Sequence, residues 1–275
     1  MSTKLSTQML SKPMQQQGAV LIVVLLFLIL IVLAGALAVR QSTTDLKLST
    51  SDQINTLLLQ SADKTNKNIE QSINGDSRSD IYTEMLSRSG PFGYFILDKS
   101  AQSNEYVFCL RPRGRFFDIN KTTIRTADGG SVVPNTTGYC NPSKSEDYIS
   151  SRNTSMTQVN VSLTPTTASD PTFPNVTLGQ DTDKVSSVAY SFDVNSTAVL
   201  PAYGDTKVGN TNCFAQTTRP IIATKVTDTL SGCMSRAGIP NTTVYQQVDI
   251  ENQSQRVKCV NYGKGSGLLC TLPSN

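Results

Sequence analysis

An uninterrupted apolar run near the N-terminus constrains this chain more than any other feature. The run extends from Ala19 to Val39, and the sequence has no charged residue between Lys12 and Arg40. About 20 residues with a rise of roughly 1.5 Å each can cross a hydrocarbon core of about 30 Å as one helix. We therefore expect residues 19–39 to span a membrane and to anchor everything that follows.

The charges that flank the apolar run predict its orientation. Lys4 and Lys12 precede the run and no Asp or Glu does, so the positive-inside bias places the N-terminus in the cytoplasm and the part after Arg40 outside. A cleaved secretory signal peptide is the alternative, with residues 34–36 or 36–38 as its small-residue cleavage site. The apolar run is longer than is usual for such a peptide, which favours a retained anchor.

A helical pattern continues beyond the apolar run. From Gln41 to Ile73 the sequence has neither proline nor glycine. Apolar residues recur there at spacings of four or seven, which predicts an amphipathic helix: Ile54, Leu58, Ala62, Ile69 and Ile73. Asn74 and Gly75 supply a C-terminal stop. We expect one continuous helix of about 55 residues, with a break near residues 40–44 as the alternative.

The N-terminal quarter of the chain resembles the class III signal of type IV pilins. It has a short leader with basic residues, then Gly18, then an apolar helix that leads into an amphipathic one. In that family the prepilin peptidase cuts after the glycine and methylates the new N-terminus, which here would be Ala19. Residues 17–26, with residues 40–44 following, look most like PilX-type minor pilins.

Two positions depart from the pattern of most pilins. Val23 stands where most pilins have a glutamate, and Ala19 stands where most have a phenylalanine. Major pilins pair that glutamate with the N-terminal amine of a neighbouring subunit. Because a carboxylate in an apolar helix bundle is costly unless it is paired, its absence implies a tip or priming subunit rather than the repeating body of a filament.

The resemblance implies a minor pilin that primes or caps a type IV pilus used in adhesion, twitching motility or DNA uptake. Its expected partners are other minor pilins, a tip adhesin and the prepilin peptidase. Its expected location is the inner membrane, with a periplasmic head, and then the pilus tip. A capping pseudopilin of type II secretion also lacks the glutamate and is one alternative, although its large helical insertion does not fit a strand-rich head. A membrane-anchored extracellular binding domain unrelated to pili is the other.

All six cysteines lie on the exported side of the anchor: Cys109, Cys140, Cys213, Cys233, Cys259 and Cys270. An even number of cysteines in an oxidising compartment predicts disulfides. We favour the sequential pairing 109–140, 213–233 and 259–270, because each pair closes a short loop that would stabilise the fold by about 3 kcal/mol. A metal site is disfavoured, because the sequence has no Cys-x-x-Cys and no histidine.

The pattern beyond the long helix is that of a single α+β head over residues 76–275, strand-rich and braced by disulfides. Expected strands cover residues 92–97, 106–110, 159–163, 188–194, 244–250, 256–260 and 268–272. The first two are expected to form one hairpin and the last two another. Short helices are expected at residues 79–87 and 226–237. Residues 121–184 are rich in loops and offer a candidate surface for partners.

Few side chains suggest chemistry. The absence of histidine excludes Ser-His-Asp and Cys-His catalysis, and we expect neither an enzyme nor a cofactor. The net charge is +3, and loss of the leader with Lys4 and Lys12 would leave it near +1, which gives no case for a polyanionic partner. Arg111, Arg113 and Arg115, next to two phenylalanines, form the one basic cluster that could contact DNA. A solvated strand end is the ordinary alternative.

Overall fold

The computed structural model describes residues 17–75, 79–86, 89–97, 103–131, 138–164, 188–219, 228–252, 259–260 and 269–270. The chain divides into two compact units, residues 1–53 and residues 54–275. The division falls inside the first helix, so the C-terminal part of that helix belongs to the same unit as the strands, and the start of the head at residue 76 stays a prediction. The expected leader, residues 1–18, lies almost entirely outside the described residues.

Helix α1 (Gln17–Ile73) is one continuous helix, as predicted. The polar stretch after the apolar run does not interrupt it. There the hydroxyls of Thr43 and Thr44 both donate to the carbonyl oxygen of Arg40, at 2.8 and 3.0 Å. Ser and Thr satisfy such bonds within a helix at little cost. The alternative of a break near residues 40–44 is therefore wrong.

The second unit contains the strands. They are β1 (Glu105–Cys109), β2 (Thr122–Arg125), β3 (Met156–Leu163), β4 (Val188–Val199), β5 (Lys207–Val208), β6 (Thr211–Asn212), β7 (Asn241–Asn252), β8 (Cys259–Val260) and β9 (Leu269–Cys270). Five of them form one sheet in the order β2-β1-β3-β4-β7, and each neighbouring pair is antiparallel. The pairs β5-β6 and β8-β9 are separate hairpins. The fold is thus α+β with an antiparallel sheet.

One face of the sheet packs against the C-terminal part of α1 through an aromatic and aliphatic core. Leu58, Ala62 and Ile69 of α1 are buried, as their spacing predicted. The Ser61 hydroxyl lies 3.0 Å from that of Thr157 on β3 and adds a polar contact. The largest core cluster on this face consists of Ile69, Met85, Phe92, Phe95, Tyr106, Phe108, Phe117, Ile124, Val159, Val161, Phe192, Val194 and Ile250.

The opposite face of the sheet is covered by loops and by helix α4 (Leu230–Arg236). Two disulfides lie in this layer and join Cys109 to Cys140 and Cys213 to Cys233. These are two of the three pairs in the sequential set. Strands β8 and β9 place Cys259 directly opposite Cys270, but their side chains lie outside the described residues, so the third disulfide stays a prediction.

The expected hairpin of residues 92–97 with 106–110 is wrong in its first half. Residues Gly93–Leu97 form helix α3, and β1 instead pairs with β2 and β3. Phe92 and Phe95 are three residues apart, so a helical turn brings both rings onto Phe192, at 5.0 and 6.2 Å between ring centroids. The other short helices, α2 (Asp80–Met85) and α4, lie within the segments where we expected them.

Candidate functional site

The apolar segment of α1 is the first candidate site, because it presents a continuous apolar surface. Every large apolar side chain from Val20 to Val39 is at least half exposed. A soluble protein rarely leaves a surface of this extent uncovered, and such a surface marks contact with a membrane or with a partner.

The helical conformation suits this segment to either environment. All its backbone groups can bond within the helix, which is what a segment in lipid requires. The helix is long and apolar enough to cross a membrane. Gly18 and Ala19, the expected processing residues, are both helical at its start, and Val23 leaves the segment without a carboxylate. The segment can therefore bury itself without desolvating a charge.

The arginine cluster expected to contact DNA is the second candidate site. Its first residue, Arg111, forms a buried ion pair. The guanidinium of Arg111 donates from Nε to Asp147 Oδ1 at 2.6 Å, and the two side chains are 8% and 1% exposed. The other oxygen of Asp147 accepts from the backbone N–H of Asn141 at 2.9 Å. DNA contact by Arg111 stays a prediction, and it would require this buried ion pair to break.

The other two arginines also have partners within the head. The Nη2 atom of Arg113 lies 2.6 to 2.9 Å from three oxygens of the segment 145–153: the carbonyls of Ser145 and Ser150 and Oδ1 of Asn153. Arg115 lies 3.1 Å from the buried carboxylate of Glu84 on α2. DNA contact by Arg113 and Arg115 stays a prediction, but each would have to exchange an internal partner for a phosphate.

A cavity of about 240 Å³ lies among these arginines and includes Lys121 and Glu146 at its rim. The ammonium of Lys121 donates to Glu146 at 3.0 Å, and this hydrogen bond holds the pKa of Glu146 below its ordinary value. Four basic side chains line the cavity together with two carboxylates, those of Asp118 and Glu146. The ion pairs and hydrogen bonds among these residues and their neighbours hold the loops together.

The disulfide Cys109–Cys140 positions this cluster. It joins the end of β1, two residues before Arg111, to the loop residue that precedes Asn141. Gly138 lets that loop approach the sheet. Its N–H donates to Thr123 Oγ1 at 2.9 Å, and a Cβ on it would collide with the backbone N of Thr123 and the carbonyl oxygen of Val107. The covalent bond and the ion pair therefore hold the same loop.

Sequence reasoning missed the acidic partners, Asp147 and Glu84, and a third buried pair. In that pair Glu105 lies 3.5 Å from Arg125, and its other oxygen accepts from the N–H and hydroxyl of Thr218, at 2.9 and 2.7 Å. These carboxylates lie far from their arginines in sequence or on another element. No local pattern in the sequence indicates these pairings.

Among the residues that the structure describes, no group of three His, Cys, Asp or Glu side chains could hold a metal ion. Comparison of the chain with known proteins found no matching family model, no matching curated protein and no matching solved structure.

Proposed function

We propose that this chain is a minor pilin that helps to prime or cap a type IV pilus at its tip. In this role the apolar segment of α1 first lies in the inner membrane, with the head in the periplasm. It then packs laterally against the apolar helices of other subunits in the filament. Other minor pilins and a tip adhesin are the proposed partners, and the prepilin peptidase is the proposed processing enzyme. The protein acts by assembly and not by turnover.

One observation carries the proposal: a single helix has an exposed apolar first part and a second part that is integral to an α+β head. Residues 20–39 have no partner in the described first unit, whereas Leu58, Ala62 and Ile69 belong to the core of the second. A signal peptide would have no structural reason to continue into the core of the exported domain. A subunit that must be extracted from a membrane and inserted into a fibre needs this continuity.

The head favours the pilus over the capping pseudopilin of type II secretion. After α1, the α-helices of the described residues have five to seven residues each. The pseudopilin alternative implies a large helical insertion in the head, and residues 89–164 and 188–252, where described, contain none. The membrane-anchored binding domain does not explain a glycine directly before the apolar run.

The experiment is to determine the mature N-terminus by mass spectrometry of the chain expressed with and without a prepilin peptidase. We expect a methylated N-terminus at Ala19 only when the peptidase is present. A Gly18→Val variant should retain the leader and remain absent from pili. Gly35→Val is the matched control for leader removal: it places the same side chain in the same helix, away from the cleavage site, where a Cβ meets nothing within 4 Å, and it should leave cleavage unchanged.

A start near Val39, or an intact Met1 in a strain with the peptidase, contradicts the proposal. So does normal piliation after deletion of the chain, if the chain is also absent from purified pili. Normal secretion with lost piliation distinguishes the pilus from the secretion alternative.

A further inference from the structure

Strand β7 forms one edge of the five-stranded sheet, and it is a long and regular edge. All twelve of its residues pair with β4, from Asn241 opposite Val199 to Asn252 opposite Val188, without a bulge. Within the described part of the chain no strand pairs with its other side. An edge of this length presents a row of backbone donors and acceptors to any extended chain.

The sequence of β7 lacks the features that most often prevent another strand from pairing with an edge. Proteins commonly protect an edge strand with lysine, proline or a bulge. The segment 241–252 contains no lysine, arginine or proline, and its charged residues are Asp249 and Glu251. The edge therefore remains competent for pairing.

A shallow cavity of about 310 Å³ runs between β7 and α1 on one side of this edge. Exposed Asp63 and Glu70 of α1 line it together with Lys67, and the amide of Gln246 donates to Glu70 Oε2 at 3.4 Å. The Asn66 amide reaches the carbonyl of Val244 at 3.4 Å. A strand added beside β7 would meet the two carboxylates and the ammonium of Lys67 with the side chains of one face, so acidic groups outnumber basic ones there.

The other face of the same edge also carries carboxylates. Tyr245 has a 57% exposed ring, and its hydroxyl donates to Asp193 Oδ1 at 2.8 Å, which fixes the ring beside a carboxylate. Asp249 lies on the same face and accepts from the Ser191 hydroxyl. A fixed exposed aromatic ring next to carboxylates suits a lysine or arginine side chain. Because side chains alternate along a strand, basic residues of either parity would find a carboxylate here.

We propose that β7 accepts an extended segment of another polypeptide, rich in lysine or arginine, as a sixth antiparallel or parallel strand. The backbone of β7 supplies the hydrogen bonds, and the acidic groups on its two faces select a basic segment. The proposal does not depend on pilus assembly, because it rests on residues of the second unit alone.

The test uses the full-length chain in detergent and a synthetic peptide of about ten residues in which lysine alternates with valine and threonine. A peptide with glutamate in place of lysine is the probe control. We expect the basic peptide to bind and to slow amide hydrogen exchange in residues 241–252, and we expect the acidic peptide to do neither.

The charge requirement is tested with the double variant Asp63→Lys/Glu70→Lys. We expect it to weaken the binding of the basic peptide about tenfold, since two exposed charge pairs are replaced by repulsion. The matched control is Asp45→Lys/Asp52→Lys, which makes the same change in net charge in the first unit and should leave the affinity unchanged.

Four results would overturn the proposal. In the first, the basic peptide binds without protecting the amides of residues 241–252. In the second, the two double variants weaken binding equally. In the third, the amides on both sides of β7 are already protected from hydrogen exchange in a monomer without peptide, which would assign the edge to the chain's own C-terminal segment. In the fourth, the chain dimerises through β7, which would assign the edge to a second copy. None of these outcomes bears on where the mature N-terminus lies, so this proposal and the pilus role can fail separately.

Discussion

Phe27 and Phe192 show how differently the two units use the same side chain. Phe27 lies on the apolar segment of α1 and is 59% exposed, whereas Phe192 on β4 is fully buried and meets the ring of Phe92 edge to face at 5.0 Å. Burial of such a side chain contributes about 2 kcal/mol, wherever it occurs. In the head this energy stabilises the fold of the chain itself, and in the apolar segment it is available to a membrane or a neighbouring subunit.

The largest expected difference in stability is the one between the truncation of Phe192 and the truncation of Phe27. We expect Phe192→Ala to lower the free energy of unfolding of the head by about 4 kcal/mol, because it removes a buried ring and leaves a cavity. Phe27→Ala should change it by less than about 0.5 kcal/mol, because no part of the described first unit covers that ring. Urea unfolding of the full-length chain in detergent, followed by the near-ultraviolet circular dichroism of tyrosine, measures both.

A similar loss in the two variants would show that the apolar segment stabilises the head. Incorporation into pili gives the complementary measurement. Phe27→Ala should reduce the amount of the chain found in pili although it leaves the stability of the head unchanged, since the proposed function places that side chain between subunits.

The second contrast concerns carboxylates. Asp147 is buried beside Arg111, whereas Asp45 is exposed on α1. We expect Asp147→Ala to lower the free energy of unfolding by about 3 kcal/mol, because it leaves a buried guanidinium without its partner. Asp45→Ala should be neutral within about 0.5 kcal/mol. Thermal unfolding monitored as above distinguishes them.

The double variant Arg111→Met/Asp147→Leu separates charge from packing. Because an apolar pair of similar volume avoids the desolvation of two ions, we expect it to recover most of the lost stability. If it is as unstable as Asp147→Ala, the loop contacts of Asp147, such as the bond from the Asn141 N–H, are responsible instead.

The sequence could predict the features that depend on a local pattern, and not those that depend on contacts between distant residues. Helix α1 was predictable because its apolar residues follow a regular period and no proline interrupts them. The strands β3 and β4 were predictable because apolar and polar residues alternate along them. The segment 92–97 was not, because an aromatic run has no period of its own and its conformation is decided by contact with Phe192, about a hundred residues away in the chain.

The candidate sites divide in the same way. The apolar segment was evident because its function lies in composition and length. The internal partners of the arginine cluster could not be predicted, because those of Arg111 and Arg115 come from a loop and from α2 and no local pattern shows that the charges are satisfied. Strand β2 was missed for a related reason. Its sequence, Thr122–Arg125, is polar, and its burial depends on the loops that cover it.

The smallest expected effect concerns hydroxyl groups. The hydroxyl of Tyr106 is buried, donates to the carbonyl of Ser89 at 2.6 Å and lies 3.0 Å from Thr122 Oγ1. That of Thr44 is exposed on α1 and donates to Arg40. We expect Tyr106→Phe to cost about 1 to 2 kcal/mol, because the hydrogen bonds of a buried hydroxyl are lost. Thr44→Val should leave the free energy of unfolding unchanged within about 0.5 kcal/mol.

The pH dependence of unfolding sharpens this last contrast. Burial raises the pKa of Tyr106 far above its ordinary value, so the folded head keeps this proton at a pH where the unfolded chain releases it. The protonated side chain therefore contributes its full stability below about pH 10 and progressively less as the pH rises above that value. Tyr106→Phe should make the alkaline loss of stability shallower, whereas Thr44→Val should leave the curve unchanged. Equal alkaline slopes for Tyr106→Phe and the unmodified chain would mean that this hydroxyl is solvated in the folded head.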